Sequence, residues 1–151
     1  MCGIIGIISL TKDNIINDLT ESLYHLQHRG QDSYGFSLFD NNKIIIHKDK
    51  GLIKNDLNNY NSYLGIGHTR YPTKGSNTIN EAQPLYFSGE NHNISIVHNG
   101  QIWLNDRLLK YLESNNIPIN KDITSDSAII LSILGYHLDK YETINNDIIK
   151  D

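Results

Sequence analysis

The sequence has a single cysteine, a single methionine and only three prolines among its 151 residues. One cysteine cannot form a disulfide within the chain, which is typical of proteins from a reducing compartment. It also cannot supply the thiolate ligands of an iron–sulfur cluster. Apolar runs are short, whereas a membrane-spanning helix takes about 20 apolar residues. The sequence therefore predicts a soluble, cytoplasmic protein that does not insert into a membrane.

Basic residues are also few, because 13 Lys and Arg face 17 Asp and Glu and the net charge is −4. Nucleic-acid-binding proteins usually carry a basic stripe or patch, and none is visible, so we expect no nucleic acid partner. The seven histidines are not accompanied by cysteines or carboxylates at the spacing of a zinc site. We therefore expect no metal and no other cofactor.

The apolar pattern predicts a mixture of helices and antiparallel strands in one domain, since no repeat or linker interrupts it. Asp13 or Asn14 is the expected N-cap of the first helix, and Asp40, Asn41 and Asn42 form the expected hairpin turn. Because hairpins and long loops join the strands, the fold class is α+β. The predicted strands are 4–10, 34–39, 43–48, 64–70 and 94–98, the predicted helices 14–26, 52–60, 104–114, 125–138 and 141–149, and the predicted irregular loop 71–84.

The one cysteine directly follows the initiator methionine. Methionine is normally trimmed before a small residue, so Cys2 would begin the mature chain and carry a free α-amine. That amine titrates near ~7.7–8.0 and a thiol near ~8.5, so the amine can accept the thiol proton. A terminal amine acting as base is a known route to an activated nucleophile. A lone cysteine is otherwise a small buried hydrophobe, and its position alone leaves both interpretations open.

Arg70 stands at the end of a predicted strand, before a loop rich in hydrogen-bond donors. An arginine in this place suits two-pronged capture of a carboxylate. It suits an ordinary ion pair with one of the 17 acids equally well. The segment itself does not separate the two.

Asn99 and Gly100 follow another predicted strand. An Asn-Gly pair is a strong signal for a type I′ hairpin turn. Alternatively, the Asn99 carboxamide and the Gly100 N–H form an oxyanion hole, in which one donor is worth about 3–4 kcal/mol. Asp126 falls in the first turn of a predicted helix, where the helix dipole favours an acid. Its carboxylate could also receive a substrate ammonium group.

Six ordered segments of the sequence carry a family resemblance. They are CGIIG at 2–6, LQHRGQDS at 26–33, GIGHTRYPTKG at 65–75, EAQP at 81–84, HNG at 98–100 and TSDS at 124–127. Taken together, they resemble the class II glutamine amidotransferases, which are N-terminal-nucleophile glutaminases. Their residues are most similar to those of the amidophosphoribosyltransferases of purine synthesis, whereas the glucosamine-6-phosphate synthases tend to have RGYDS, RWAT and NAHP at three of these places.

The resemblance implies an αββα sandwich of two antiparallel sheets, the N-terminal-nucleophile hydrolase fold, and hydrolysis of L-glutamine to glutamate and ammonia through a Cys2 thioester. It makes Asn99 and Gly100 the oxyanion hole. The implied substrate-binding residues are Arg70 for the α-carboxylate, with Thr73 nearby, Asp126 for the α-ammonium group and Arg29 beside the nucleophile.

Members of this family continue with further strands and a phosphoribosyltransferase domain, which binds its substrate through an acidic pair and a small-residue loop. No such element occurs here. We therefore expect residues 1–151 to be a C-terminally truncated glutaminase domain that cannot complete the transferase reaction alone.

The missing strands would leave a sheet edge exposed, so we expect a fragment of a longer chain, a homo-oligomer, or a complex with a synthase subunit that receives the ammonia. The alternatives are a glutaminase for another synthase, such as an amino-sugar synthase, and an inactive homologue that binds glutamine or a partner.

Overall fold

The computed structural model describes residues 1–54, 59–71, 79–103, 105–118, 125–145 and 148. A four-stranded antiparallel sheet has the strand order β1-β4-β2-β3, with β1 Gly3–Ile8, β2 Ser33–Asp40, β3 Lys43–Lys50 and β4 Leu64–Arg70. A second antiparallel sheet pairs β5 Leu85–Ser88 with β6 Asn93–Ile96. The helices are α1 Ile16–Leu26, α2 Asp106–Ser114 and α3 Asp126–Leu138, with short 3₁₀ helices at Gln27–Arg29 and Ile79–Glu81. The predicted mixed fold with antiparallel sheets is confirmed.

Helix α1 covers one face of the four-stranded sheet. Leu19 and Leu23 recur at helical spacing, are fully buried and pack with Phe36 and Leu38 of β2. Each such side chain contributes about 1.5–3 kcal/mol through removal from water. Gly67 of β4 makes the close approach possible, because a Cβ there would lie 2.8 Å from the Leu23 side chain.

The second sheet has its own helical cover. Leu85 packs against Ala128 and Leu131 of α3, and α2 contacts α3 through Leu112 and Ile129. Helix α3 is therefore buried on two sides. The stretch before β5 lies against the face of the four-stranded sheet opposite α1, since a Cβ on Gly35 would meet the carbonyl oxygen of Gln83 at 2.3 Å.

The predicted β2–β3 hairpin is confirmed. Asn41 and Asn42 form its two-residue turn, with φ of 47° and 61°. Asparagine tolerates the left-handed region better than other non-glycine residues, and type I′ turns need it at both central positions.

Several element boundaries differ from the prediction. The N-cap of α1 is Ile15, not Asp13 or Asn14, although Asn14 Oδ1 accepts the Ile16 N–H at 3.3 Å. Strand β5 has no counterpart among the strands predicted from the sequence. The strand predicted over 94–98 ends at Ile96. Leu109 and Leu134, whose helical spacing would place them on the apolar faces of α2 and α3, are exposed.

Some predictions fall outside the described residues. The helix predicted over 52–60 includes residues 55–58, and the loop predicted over 71–84 includes residues 72–78. The helix predicted over 141–149 includes residues 146, 147 and 149. Residues 141–145 are described and are not helical.

Two surface features of the described residues bear on the predicted partners. No helix among them combines the length and the apolar character needed to cross a bilayer. Strands β1 and β3 are the edges of the larger sheet. On the β1 face that points away from α1, Ile4 and Ile8 are 45% and 59% exposed.

Candidate active site

Strand pairing sets the position of Cys2. In the antiparallel β1–β4 pair, Gly3 lies opposite Thr69. Continuing the register by one residue brings Cys2 level with Arg70, and cross-strand neighbours project from the same face of a sheet. The half-buried thiol contacts the carbonyl oxygen of Tyr71, with Sγ 3.8 Å away. The cysteine and the arginine therefore share one end of the sheet.

Two predicted site residues meet at the backbone of Cys2. Its carbonyl oxygen accepts a hydrogen bond from Arg29 Nε at 3.1 Å and another from Asn99 Nδ2 at 3.0 Å. The two donors come from segments about 70 residues apart in sequence. Cys2, Arg29 and Asn99 are thus brought together, which the sequence predicted only through resemblance.

A glycine lets Arg29 reach this position. Arg29 ends a 3₁₀ helix, and Gly30 follows it against the end of β4. A Cβ on Gly30 would lie 2.5 Å from the carbonyl carbon of Arg70. Any larger residue would push the loop, and Arg29 with it, away from Cys2.

Arg70 is already paired in this structure. Its side chain is largely buried, and Nη1 lies 3.3 Å from Oδ2 of Asp32. Arg70 therefore forms the ordinary ion pair that its sequence context also allowed. Its partner, Asp32, had no role assigned from the sequence. The pair arises because β2 places Ser33 opposite Arg70. A guanidinium has five N–H donors in all, so this contact does not exclude a second carboxylate.

The hairpin-turn interpretation of Asn99 and Gly100 is wrong. Neither residue is in the left-handed region that a type I′ turn requires, whereas Asn41 and Asn42 are. Strand β6 ends at Ile96 and the chain continues towards α2 rather than reversing into a strand. The exposed Asn99 is instead held by its bond to Cys2.

Asp126 begins helix α3 and binds the segment that follows Gly100. Its Oδ2 accepts the backbone N–H of Ile102 at 2.6 Å. Its Oδ1 lies 3.8 Å from His98 Nδ1. Asp126 is therefore tied to the 98–102 segment. Thr73 lies outside the described residues.

Sequence reasoning gave no role to a hydrogen-bond cluster behind this segment. Gln83 Oε1 accepts the His98 N–H at 2.6 Å, and Gln83 Nε2 donates to Ser127 Oγ at 3.0 Å. The same hydroxyl lies 3.0 Å from His98 Nδ1. The EAQP and TSDS segments that contain Gln83 and Ser127 carried part of the resemblance, which was the available signal.

A buried histidine lies on the same sheet face as Arg70. His68 occupies β4 two residues before Arg70 and is fully buried. Burial lowers its pKa from 6.5 to about 4, helped by the charge of Arg70 and opposed by the backbone of His98. The imidazole is therefore neutral at physiological pH. Among the described residues, no three His, Cys, Asp or Glu side chains form a possible metal site.

His68 should make stability depend on pH. Because the pKa of His68 is 6.5 when unfolded and about 4 when folded, the unfolded chain binds a proton in this window that the folded chain does not. The free energy of unfolding should fall as pH drops from about 6.5 to 4, by up to ~3 kcal/mol from this group. Urea titrations of wild type and His68→Gln at pH 7, 5.5 and 4 measure the difference.

His25→Gln is the matched control, because the His25 side chain is 79% exposed. It should keep the wild-type pH dependence, whereas His68→Gln should show a shallower one. Identical slopes for His68→Gln and wild type would contradict the assignment.

No family model matches this chain. An amidophosphoribosyltransferase from Pasteurella multocida is 36% identical over 153 aligned residues, which cover 97% of this chain and 30% of that protein. A glutamine–fructose-6-phosphate aminotransferase from Wigglesworthia glossinidia brevipalpis is 37% identical over 93% of this chain and 23% of its own length. The chain thus spans less than a third of either protein.

A solved structure gives the same picture of the fold. It is described as the allosteric regulatory enzyme of purine biosynthesis, and it superposes with a TM-score of 0.76 at 27% sequence identity. The match covers 99% of this chain and 32% of that one. Mixed α and β structure with antiparallel sheets is therefore common to both.

Proposed function

Because this chain is a homologue of the amidophosphoribosyltransferases over nearly its whole length, we propose that it is a glutamine amidotransferase domain of their type. The domain hydrolyses L-glutamine to glutamate and ammonia. The observation that carries the proposal is the Cys2 carbonyl, which binds both Arg29 and Asn99. A candidate nucleophile and a candidate oxyanion donor are thereby in direct contact.

The reaction begins at the thiol of Cys2. With Met1 removed, the α-amine takes the thiol proton and the sulfur attacks the side-chain amide carbon of glutamine. Negative charge develops on the amide oxygen, and Asn99 and the Gly100 N–H stabilise it. One Asn99 N–H donates to the Cys2 carbonyl, which leaves the second N–H of the carboxamide for the oxyanion. The C–N bond then breaks, the amine returns its proton to the leaving ammonia, and water hydrolyses the thioester to glutamate.

Charged groups select the substrate. Arg70 receives the α-carboxylate of glutamine through its fork of N–H donors, with Thr73 nearby. Asp126 receives the α-ammonium group, and Arg29 fixes the backbone of the nucleophile. The two charged groups on the α-carbon of glutamine are thus recognised by opposite charges, which selects a free amino acid over a peptide.

The ammonia acceptor lies beyond this domain. We propose residues 1–151 as a glutaminase domain with the N-terminal-nucleophile hydrolase fold, acting in the cytoplasm within purine biosynthesis. The acceptor, phosphoribosyl pyrophosphate, is bound by a synthase domain or subunit. The Wigglesworthia relative supports a second candidate, a glutaminase that supplies an amino-sugar synthase. The exposed β1 edge offers a surface for either synthase or for a second copy.

An assay of the purified chain tests the core proposal. Glutamate and ammonia are measured after incubation with L-glutamine. D-glutamine is the control for the configuration at the α-carbon, and L-asparagine is the control for side-chain length. Turnover of L-glutamine alone supports the proposal. Binding of L-glutamine, measured by calorimetry, without turnover identifies an inactive homologue. Absence of both binding and turnover rejects the assignment.

Met1 should be absent from the mature protein. An amide nitrogen at Cys2 could not accept the thiol proton, so retention of Met1 should abolish hydrolysis. Met1 is 77% exposed and thus accessible to an aminopeptidase. Intact-mass measurement on protein from a host with normal methionine processing checks its removal.

A chain carrying an N-terminal tag provides the matched control. It should be inactive, and it should gain activity once a protease leaves Cys2 as the first residue. Full activity of the uncut chain would refute the amine as base.

A further inference from the structure

We propose that Gln83 and Ser127 are positioning residues that hold the 98–100 segment against the nucleophile, an inference that rests on the proposed glutaminase function. Neither side chain has a place in the chemistry described above. Both are largely buried, and their hydrogen bonds converge on His98. His98 directly precedes the two candidate oxyanion-hole residues.

Gln83 fixes the backbone of His98. A backbone N–H can only donate, so the 2.6 Å contact places Oε1 of Gln83 towards His98. The amide nitrogen of Gln83 must then face Ser127 Oγ, 3.0 Å away. Gln83 is itself seated firmly, because Gly35 of β2 leaves space for its carbonyl oxygen. Through Gln83, the four-stranded sheet that carries Cys2 therefore fixes the position of the His98 backbone.

Ser127 fixes the ring of His98. Its hydroxyl oxygen lies 3.0 Å from Nδ1 on one edge of the imidazole. The other edge covers Gly100, since a Cβ there would lie 2.6 Å from Nε2. The ring is held between Ser127 and Gly100, so the ring orientation sets where the Gly100 backbone can lie.

The two anchors and the catalytic contact act on three consecutive residues. Gln83 holds the His98 backbone, Ser127 holds the His98 ring over Gly100, and Asn99 bonds to the Cys2 carbonyl at 3.0 Å. Oxyanion donors act over a narrow range of about 2.7–3.1 Å. Loosening either anchor should therefore weaken transition-state stabilisation without removing a group that touches glutamine.

The test uses Gln83→Met, which keeps the length of the side chain and loses both hydrogen bonds, and Ser127→Ala. We expect kcat to fall about 10- to 100-fold in each, with KM within about twofold of wild type. Gln83→Glu retains an acceptor for His98 and should lie between Gln83→Met and wild type. Alkylation of Cys2 by iodoacetamide forms no oxyanion, so its rate should stay within about twofold in all three variants.

A double variant separates positioning from a general loss of structure. In the Asn99→Ala background, Gln83→Met should lower kcat by less than about threefold, because both changes act through the same donor. Equal, additive losses in both backgrounds, or a parallel loss of Cys2 alkylation, would overturn the positioning role.

The outcomes distinguish this inference from the proposed function. If wild type hydrolyses glutamine and Gln83→Met keeps full kcat, the positioning role is rejected and the function stands. If wild type does not hydrolyse glutamine, the function is rejected, and amide hydrogen exchange at His98 and Asn99 decides the inference. Faster exchange in Gln83→Met supports the hold on the segment, and unchanged exchange overturns it.

Discussion

Replacement of Cys2 by alanine is expected to lower glutamine hydrolysis by roughly 10⁴- to 10⁶-fold, since loss of a nucleophile removes the covalent route altogether. The described hydrogen bonds of Cys2 are made mainly by its backbone carbonyl, which alanine retains. Among the described residues, the thiol itself makes one long contact, with the Tyr71 carbonyl. The variant should therefore fold normally, and stopped assays of glutamate release measure the loss.

The binding of glutamine provides the control for this variant. Cys2→Ala keeps the Arg70 and Asp126 side chains, so calorimetry should show L-glutamine affinity within a few-fold of wild type. Cys2→Ser adds a matched test, because a hydroxyl of similar size is a much weaker nucleophile at neutral pH. Residual turnover by Cys2→Ala within tenfold of wild type would mean that the reaction does not pass through this residue.

Asn99→Ala and Arg70→Lys should fail in different ways. Loss of an oxyanion donor acts mainly in the transition state, so Asn99→Ala should lower kcat by ~10²- to 10³-fold with little change in KM. Lysine at position 70 keeps the charge but loses the two-pronged geometry, so KM should rise more than kcat falls. Steady-state kinetics over a wide range of glutamine concentration separates the two.

The ion pair of Arg70 with Asp32 calls for a control. Both side chains are mostly buried, so Arg70→Lys could act through stability rather than through the substrate. Asp32→Asn breaks the same pair and leaves Arg70 in place, so it should disturb stability without the rise in KM. One kinetic pattern shared by Asn99→Ala and Arg70→Lys would show that the assigned roles are wrong.

Local patterns predicted local structure well. The Asn41–Asn42 turn and the strand Leu64–Arg70 are where the sequence placed them, because turn chemistry and apolar alternation act over a few residues. The Asn99–Gly100 pair gave a wrong turn prediction because such patterns report only local preferences. Its local preference for a type I′ turn is overridden by distant contacts, namely the bonds of Asn99 to Cys2 and of His98 to Gln83.

The types of residue in the site could be predicted from the sequence, but the side-chain contacts between them could not. Cys2 and Arg70 could be singled out from the chemistry that a terminal thiol and a strand-end arginine can perform. The partner of Arg70 could not, because Asp32 reaches it only through the register of β2 on β4. The link from Gln83 to Ser127 joins residues 44 apart in sequence, and no local pattern reports such a pairing.

The register of β1 on β4 also limits how this chain can vary over evolutionary time. Side chains alternate between the two faces of a strand, so deletion of one residue within β1 moves every preceding side chain to the opposite face. Such a deletion would turn Cys2 from the Arg70 side of the sheet to the α1 side. An extra residue in the Asn41–Asn42 turn would leave the register of β2 on β4 unchanged. Insertions and deletions should therefore accumulate at the hairpin end of the sheet and be excluded from the first eight residues.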